Sequence, residues 1–313
     1  MRDVSSAIDL SLENLTTFGN LHFTPRQLYY EVCRTMKQPK GLNALPAAAV
    51  FAAAALPALG LATRKTKTAV ALFAANALVT GGLVWLRRAQ QMRTPPMPFN
   101  SFASALANYW RHRQRPFGLL GGGFDQNAAL NSYPLDLALY GLPRLLVCQS
   151  AEIAQMLLAN NFHLEASCAV VHLGQTAPLS EIFREMLAYA PQACVYFLHD
   201  ASLTAYSQLL DLRERLDLPA NVRLQILGLR PVHAERLHLF AQQGEFVPNV
   251  PIERLTFLSD DEKLWLAAGG RAEVAAVNPV RLMRVLRRLV LGLPTTQSTW
   301  KLSLPPRELG FMS

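Results

Sequence analysis

The sequence predicts an α/β fold: a mainly parallel sheet with flanking helices, preceded by a short N-terminal helical segment and a transmembrane helical hairpin. Three observations carry this. Residues 193–202 read ACVYFLHDAS, so five apolar or aromatic residues, 194–198, run straight into His199 and Asp200. A short unbroken apolar run is the pattern of a strand buried on both faces, as in parallel sheets. From Pro143 onward the same strand-then-helix alternation repeats. Finally, residues 43–63 and 69–86 form two apolar runs of bilayer-spanning length, about 18–20 residues each.

Composition agrees with a globular part joined to a small membrane part. The chain has 313 residues, 51% hydrophobic and 17% charged, with mean hydropathy +0.15. That is too polar for a many-spanning membrane protein. The net charge of +8 suits nucleic acid, an anionic membrane surface or an acidic protein partner without choosing among them. Four cysteines, Cys33, Cys148, Cys168 and Cys194, contain no CxxC pair. Zinc and thioredoxin-like readings therefore lack support, and the thiols read as reduced core residues.

Taken in order, residues 1–42 form the N-terminal helical segment. Residues 9–15 suit one helix, and a better-defined one begins at Pro25. Thr24 caps it, Pro25 takes the first helical position, and Gln27 stands three residues after the cap. Leu28 and Val32 then share a face. Residues 43–90 form the hairpin, its two apolar runs separated by RKTKT and anchored by Trp85, Arg87 and Arg88. Flanking basic residues lean toward both termini, and with them the α/β domain, in the cytoplasm; the expected location is the bacterial inner membrane. A buried helical hairpin in a globular core is the competing reading.

Residues 91–142 read as linker and helix. RTPPMP is stiff, and the helix over 101–113 ends in Arg111, His112, Arg113 and Arg115. GLLGGG at 118–123 lacks the GK[ST] of a P-loop and reads as a loop. The α/β domain spans 143–293. Strands are predicted at 144–148, 168–173, 193–198 and 222–227, and helices at 151–160, 179–189, 203–216 and from 232. A late amphipathic helix over 280–291 carries Arg281, Arg284, Arg287 and Arg288. Residues 294–313 read as an extended tail.

Several stretches then point to one family. TPRQLYYEVCR resembles the nucleophile helix of the topoisomerase VI A subunit and its meiotic double-strand-break relatives. RLLVCQSAEIAQML, CVYFLHDASLTAYSQLL and NVRLQILGLRP resemble successive strand–helix units of that family's Toprim fold. Related Toprim proteins occur in bacterial anti-plasmid nuclease systems. The resemblance implies a Toprim-like sheet, with Tyr30 in the place of the nucleophile and Arg26 in the place of its charge partner. It also implies a magnesium site, a glutamate after the first strand and a D-x-D after the third. Here those positions hold Gln149, Asp200 and Ser202, which leaves one carboxylate of the three. Magnesium prefers charged oxygen ligands, so no cofactor is expected, and magnesium belongs only to an enzymatic reading. Glu152, one turn along the helix, is out of register with the pattern. After Arg34 the sequence has no evident wing for a winged-helix domain.

Each candidate has a plainer reading beside it. Tyr29 and Tyr30 suit packing, Arg26 a surface position, and Asp200 or Ser202 a helix cap. The arginine face at Arg281, Arg284, Arg287 and Arg288 suits DNA phosphates, lipid headgroups or a solvated surface. The leading expectation is a membrane-anchored, non-catalytic Toprim-like module that associates with DNA or a protein partner. The alternatives are a tyrosine-dependent, metal-assisted DNA strand breaker and a structural membrane protein with no nucleic-acid role. The residues leave the oligomeric state open.

Overall fold

The computed structural model describes residues 3–17, 21–37, 94–111, 113–121, 144–174, 193–218, 222–244, 247 and 250–292. Among the described residues three helices precede the sheet in sequence: α1 (Val4–Thr16), α2 (Pro25–Lys37) and α3 (Phe99–Trp110). At the start of α2 the Thr24 N–H donates to Gln27 Oε1 at 2.9 Å, and the Gln27 N–H donates to Thr24 Oγ1 at 3.1 Å. This reciprocal box satisfies two backbone donors that a helix start leaves open.

The sheet follows as β1 (Arg144–Cys148), α4 (Ala151–Ala159), α5 (Phe162–Ala166), β2 (Cys168–His172), β3 (Cys194–Leu198), α6 (Leu203–Leu210), α7 (Leu212–Arg215) and β4 (Arg223–Ile226). Its order is β2-β1-β3-β4 with every pairing parallel. Alternation assigns the faces. Leu146, Cys148, Val170, Tyr196 and Leu198 join one core cluster with α1, α2, α3, α4 and the last helix. Leu145, Val147, Ala169, Val171, Val195 and Phe197 join the other with α6 and α7. Both faces are covered over β1, β2 and β3, which is why those strands carry no polar alternation; the edge strand β4 reads Arg-Leu-Gln-Ile and none of it is fully buried.

Beyond β4 come α8 (Pro231–Arg236), β5 (Gln242–Gln243), α9 (Asp260–Ala267), β6 (Gly270–Arg271) and α10 (Pro279–Leu291). β5 and β6 pair antiparallel. A capping box of Ser259 and Glu262 starts α9. α10 begins with Asn278 accepting the Val280 N–H and Pro279 at its first position, and stops at Gly292 in the left-handed region, φ 65°. Its buried face is Leu282, Met283, Leu286 and Val290.

The structure corrects the expected fold class in one part. It is α/β with a parallel four-stranded sheet and helices, and among the described residues no helix is long and apolar enough to cross a membrane. None of the described helices supplies the expected transmembrane hairpin, so the hairpin and the membrane keyword are not carried forward. Residues 43–90, where it was expected, lie outside the described residues, as do the helix at 179–189 and the tail at 294–313. The helix expected over 203–216 breaks at Asp211 into α6 and α7.

Candidate functional site

The strand order places a topological switch point between β1 and β3, because the chain leaves β1 for β2 on one side and β3 for β4 on the other. Open α/β sheets place ligands outside the carboxyl ends of the strands at such a point. Gln149 and Asp200 stand there together. The Gln149 N–H donates to the Leu198 carbonyl at 2.9 Å, and Gln149 Oε1 accepts the Asp200 N–H at 2.9 Å. Asp200 Oδ1 accepts the Val274 N–H at 2.7 Å. An antiparallel bridge, Ala201 with Ala272, draws the segment after β6 across this edge. Ser202 Oγ accepts the Ala205 N–H at 3.2 Å and caps α6. Burial, with the neighbouring Glu273 charge, pushes the Asp200 carboxyl up to about 6.

α2 lies against the same edge. Arg26 Nη1 donates to both Glu273 oxygens, at 2.9 and 3.1 Å, and its Nε is 3.6 Å from Glu152. Arg271 Nη2 reaches Glu273 Oε1 at 2.8 Å. Glu273 is almost fully buried, so two guanidinium groups offset its desolvation. Burial pulls Arg26 down, yet Glu273 and Glu152 outweigh it and raise its pKa. Burial likewise raises Glu152; Arg26 opposes that and Glu273 adds to it.

Tyr30 is fully buried. Its hydroxyl accepts a hydrogen bond from Gln242 Nε2 at 2.8 Å, and its ring stacks on Phe240 with centroids 6.0 Å apart. Burial first, then the Glu273 carboxylate, drives its pKa far above the ordinary tyrosine value. Tyr29 is equally buried and donates to the Met97 carbonyl at 2.6 Å. A phenolate nucleophile needs access and stabilised charge; Tyr30 has neither here.

As a donor set, this edge does not fit magnesium. One Gln149 oxygen is spent on the Asp200 backbone, Ser202 is spent on a cap, and Asp200 holds a backbone N–H. The nearby carboxylates Glu273 and Glu152 are held by Arg26. Among the described residues no group of three or more His, Cys, Asp or Glu is placed to hold a metal ion. The positive charge at this edge is the protein's own guanidinium.

The structure thus brings Gln149, Asp200 and Ser202 together at the sheet's carboxyl edge and sets Arg26 and Tyr30 beside them. Sequence reasoning missed Glu273, Arg271 and Gln242. Glu273 had a signal, a lone acid inside the apolar run 272–277; an acid there requires a buried cation. Gln242 had none.

The four arginines of α10 lie elsewhere. Arg281 and Arg284 are exposed, while Arg287 and Arg288 are half-buried, and Arg287 pairs with Glu165 of α5. Burial, together with the like charges of Arg34 on α2 and Arg284, lowers the pKa of Arg281. Arg281 thus lies near Arg34 and Arg284, while Arg34 itself pairs with Glu31 and donates to the Ala276 carbonyl. Compared with known protein families, with curated proteins and with solved structures, the chain matches none.

Proposed function

We propose that this chain is a non-catalytic, Toprim-like module that binds duplex DNA through the exposed arginines of α10. The observation that carries it is the exposure of basic side chains along one helix, away from the buried network at the sheet edge. Arg26, Tyr30, Gln149, Asp200 and Ser202 are spent on holding α2 to the sheet edge. Arg281 and Arg284 are exposed on the amphipathic helix α10. A row of exposed guanidinium groups one helical turn apart suits successive phosphates, and the chain's charge of +8 supports the same partner.

The test is fluorescence anisotropy of a labelled duplex titrated with the full chain at several salt concentrations. Arg281→Ala with Arg284→Ala should weaken binding by about tenfold at 0.1 M salt and lower the slope of log K against log salt by about 2. A duplex affinity untouched by that pair sinks the reading. The same protein incubated with supercoiled DNA and magnesium should leave it intact; cleavage that disappears in Tyr30→Phe would make this an enzyme.

A further inference from the structure

The basic cluster that closes α3 has no part in the site above. Arg111, Arg115 and Phe117 lie on the stretch that leaves α3, and all three are exposed. Phe117 is 81% exposed, the most open large apolar side chain among the described residues. Its ring meets that of His22 at 5.3 Å, tilted by 57°.

The backbone beneath these two rings is held on both sides. The His22 N–H donates to Asn160 Oδ1, and Asn160 Nδ2 donates to the His22 carbonyl, both at 2.8 Å. Phe23 exchanges two backbone bonds with the strap, to the Gly118 carbonyl at 2.8 Å and from the Leu120 N–H at 3.0 Å. Gly118 permits this approach, since a Cβ there would stand 2.5 Å from the Leu21 carbonyl oxygen. Phe117 is therefore a ring presented to solvent on a fixed backbone. Arg113 is turned away: it pairs with Asp9 and lies over the Tyr109 ring at 4.5 Å. Arg111 and Arg115 have no ion pair among the described residues. Asn160 ends α4, and α5 follows directly with Glu165 on Arg287, so α5 links this platform to the α10 surface.

We infer that Phe117, on its His22 support, is a stacking platform for an unpaired base, with Arg111 and Arg115 holding the adjoining phosphates. An exposed aromatic face on the same stretch as exposed guanidinium groups suits single-stranded nucleic acid, because every base offers a π-face and the backbone offers the charge. This rests on the reading that the chain binds nucleic acid, but it places unpaired bases at a different surface from the duplex.

The experiment titrates the full chain into labelled oligo(dT) and, in parallel, the labelled duplex. Phe117→Ala should weaken oligo(dT) binding by about tenfold and leave the duplex unchanged, while Phe117→Trp retains it. Arg111→Ala with Arg115→Ala should weaken oligo(dT) binding and flatten its salt dependence; Arg113→Ala should not. Oligo(dT) affinity equal in wild type and Phe117→Ala overturns the platform, whatever the duplex does. Loss of duplex binding in Arg281→Ala with Arg284→Ala, with the Phe117 effect intact, leaves both proposals standing. Duplex binding insensitive to that pair, with the Phe117 effect intact, removes only the α10 reading.

Discussion

At the scale of single residues, the segment His199–Asp200 is tuned by burial. The His199 ring stacks on Phe197 at 5.2 Å and meets Tyr206 edge-on at 5.0 Å. Its Nδ1 is 2.7 Å from the Asp200 carbonyl. Gly228 backs the ring so closely that a Cβ would stand 2.0 Å from Nε2. A clamped ring cannot swing aside, so Gly228→Ala should cost about 3 kcal/mol. Chemical denaturation checks it, and adding His199→Ala should recover part of the loss. The same two residues set opposite pH slopes. Burial lowers His199 from 6.5 to about 4, so its contribution is lost as pH falls through that window. Burial raises Asp200 from 3.8 to about 6, so ionisation costs stability as pH rises through that one. Asp200→Asn keeps an acceptor for the Val274 N–H and removes the charge. At pH 8 the variant should be the more stable by on the order of 3 kcal/mol. Between pH 6.5 and 4 it should lose stability more steeply than the wild type, because His199 and the similarly lowered His233 are then unopposed. Urea midpoints at pH 8 and 4.5 decide it; a more stable wild type at pH 8 would mean that the ionised carboxylate is favourable where it sits.

At the scale of elements, α2 is attached to the sheet edge by a buried charge network rather than by its apolar face alone. Removing Arg26 leaves Glu273 with Arg271 and leaves Glu152 without its cation. Breaking a fully buried pair costs roughly 3–5 kcal/mol, and Arg26 is a third exposed. Arg26→Met should therefore cost about 2 kcal/mol, and a double-mutant cycle with Glu273→Gln should show strong coupling. Additive effects would mean that the contact contributes nothing to docking. The elements also differ in how legible they were. β1, β2 and β3 could be read because each is essentially an apolar run before a polar turn, β4 from its place in the repeating strand–helix alternation, and α2 because its cap, proline and glutamine are local chemistry. The convergence of Gln149 and Asp200 followed from strand ends in a parallel sheet. α9 and the β5–β6 pair could not be read. α9 starts with three acids and has almost no one-sided apolar pattern, and two-residue strands have no period. Glu273 pairs with Arg26, 247 residues away in sequence, a contact that no local pattern encodes.

At the scale of the whole molecule, the same apolar cluster holds residues from the first helices and from the sheet. Leu28, Tyr29, Tyr30, Val32 and Cys33 of α2 are buried with Leu146, Cys148, Cys168 and Tyr196. Such a core has no internal boundary at which α2 could leave without exposing the sheet face, so its unfolding should be a single cooperative event. The free cysteines report on this directly. Cys33 lies on α2, Cys148 on β1 and Cys168 on β2, all buried, while Cys194 at the start of β3 is half-buried. Burial pushes the Cys33 thiol up to about 12 and raises Cys148 and Cys168 as well, so none reacts while the core is closed. With a thiol-alkylating reagent and increasing urea, peptide mass spectrometry should find Cys33, Cys148 and Cys168 becoming reactive at one shared midpoint. Cys194 should label at lower urea, from its half-open position. Cys33 reacting well before Cys148 would show α2 to be a separately docked element, and the sheet edge would then be open to ligands whenever α2 was released.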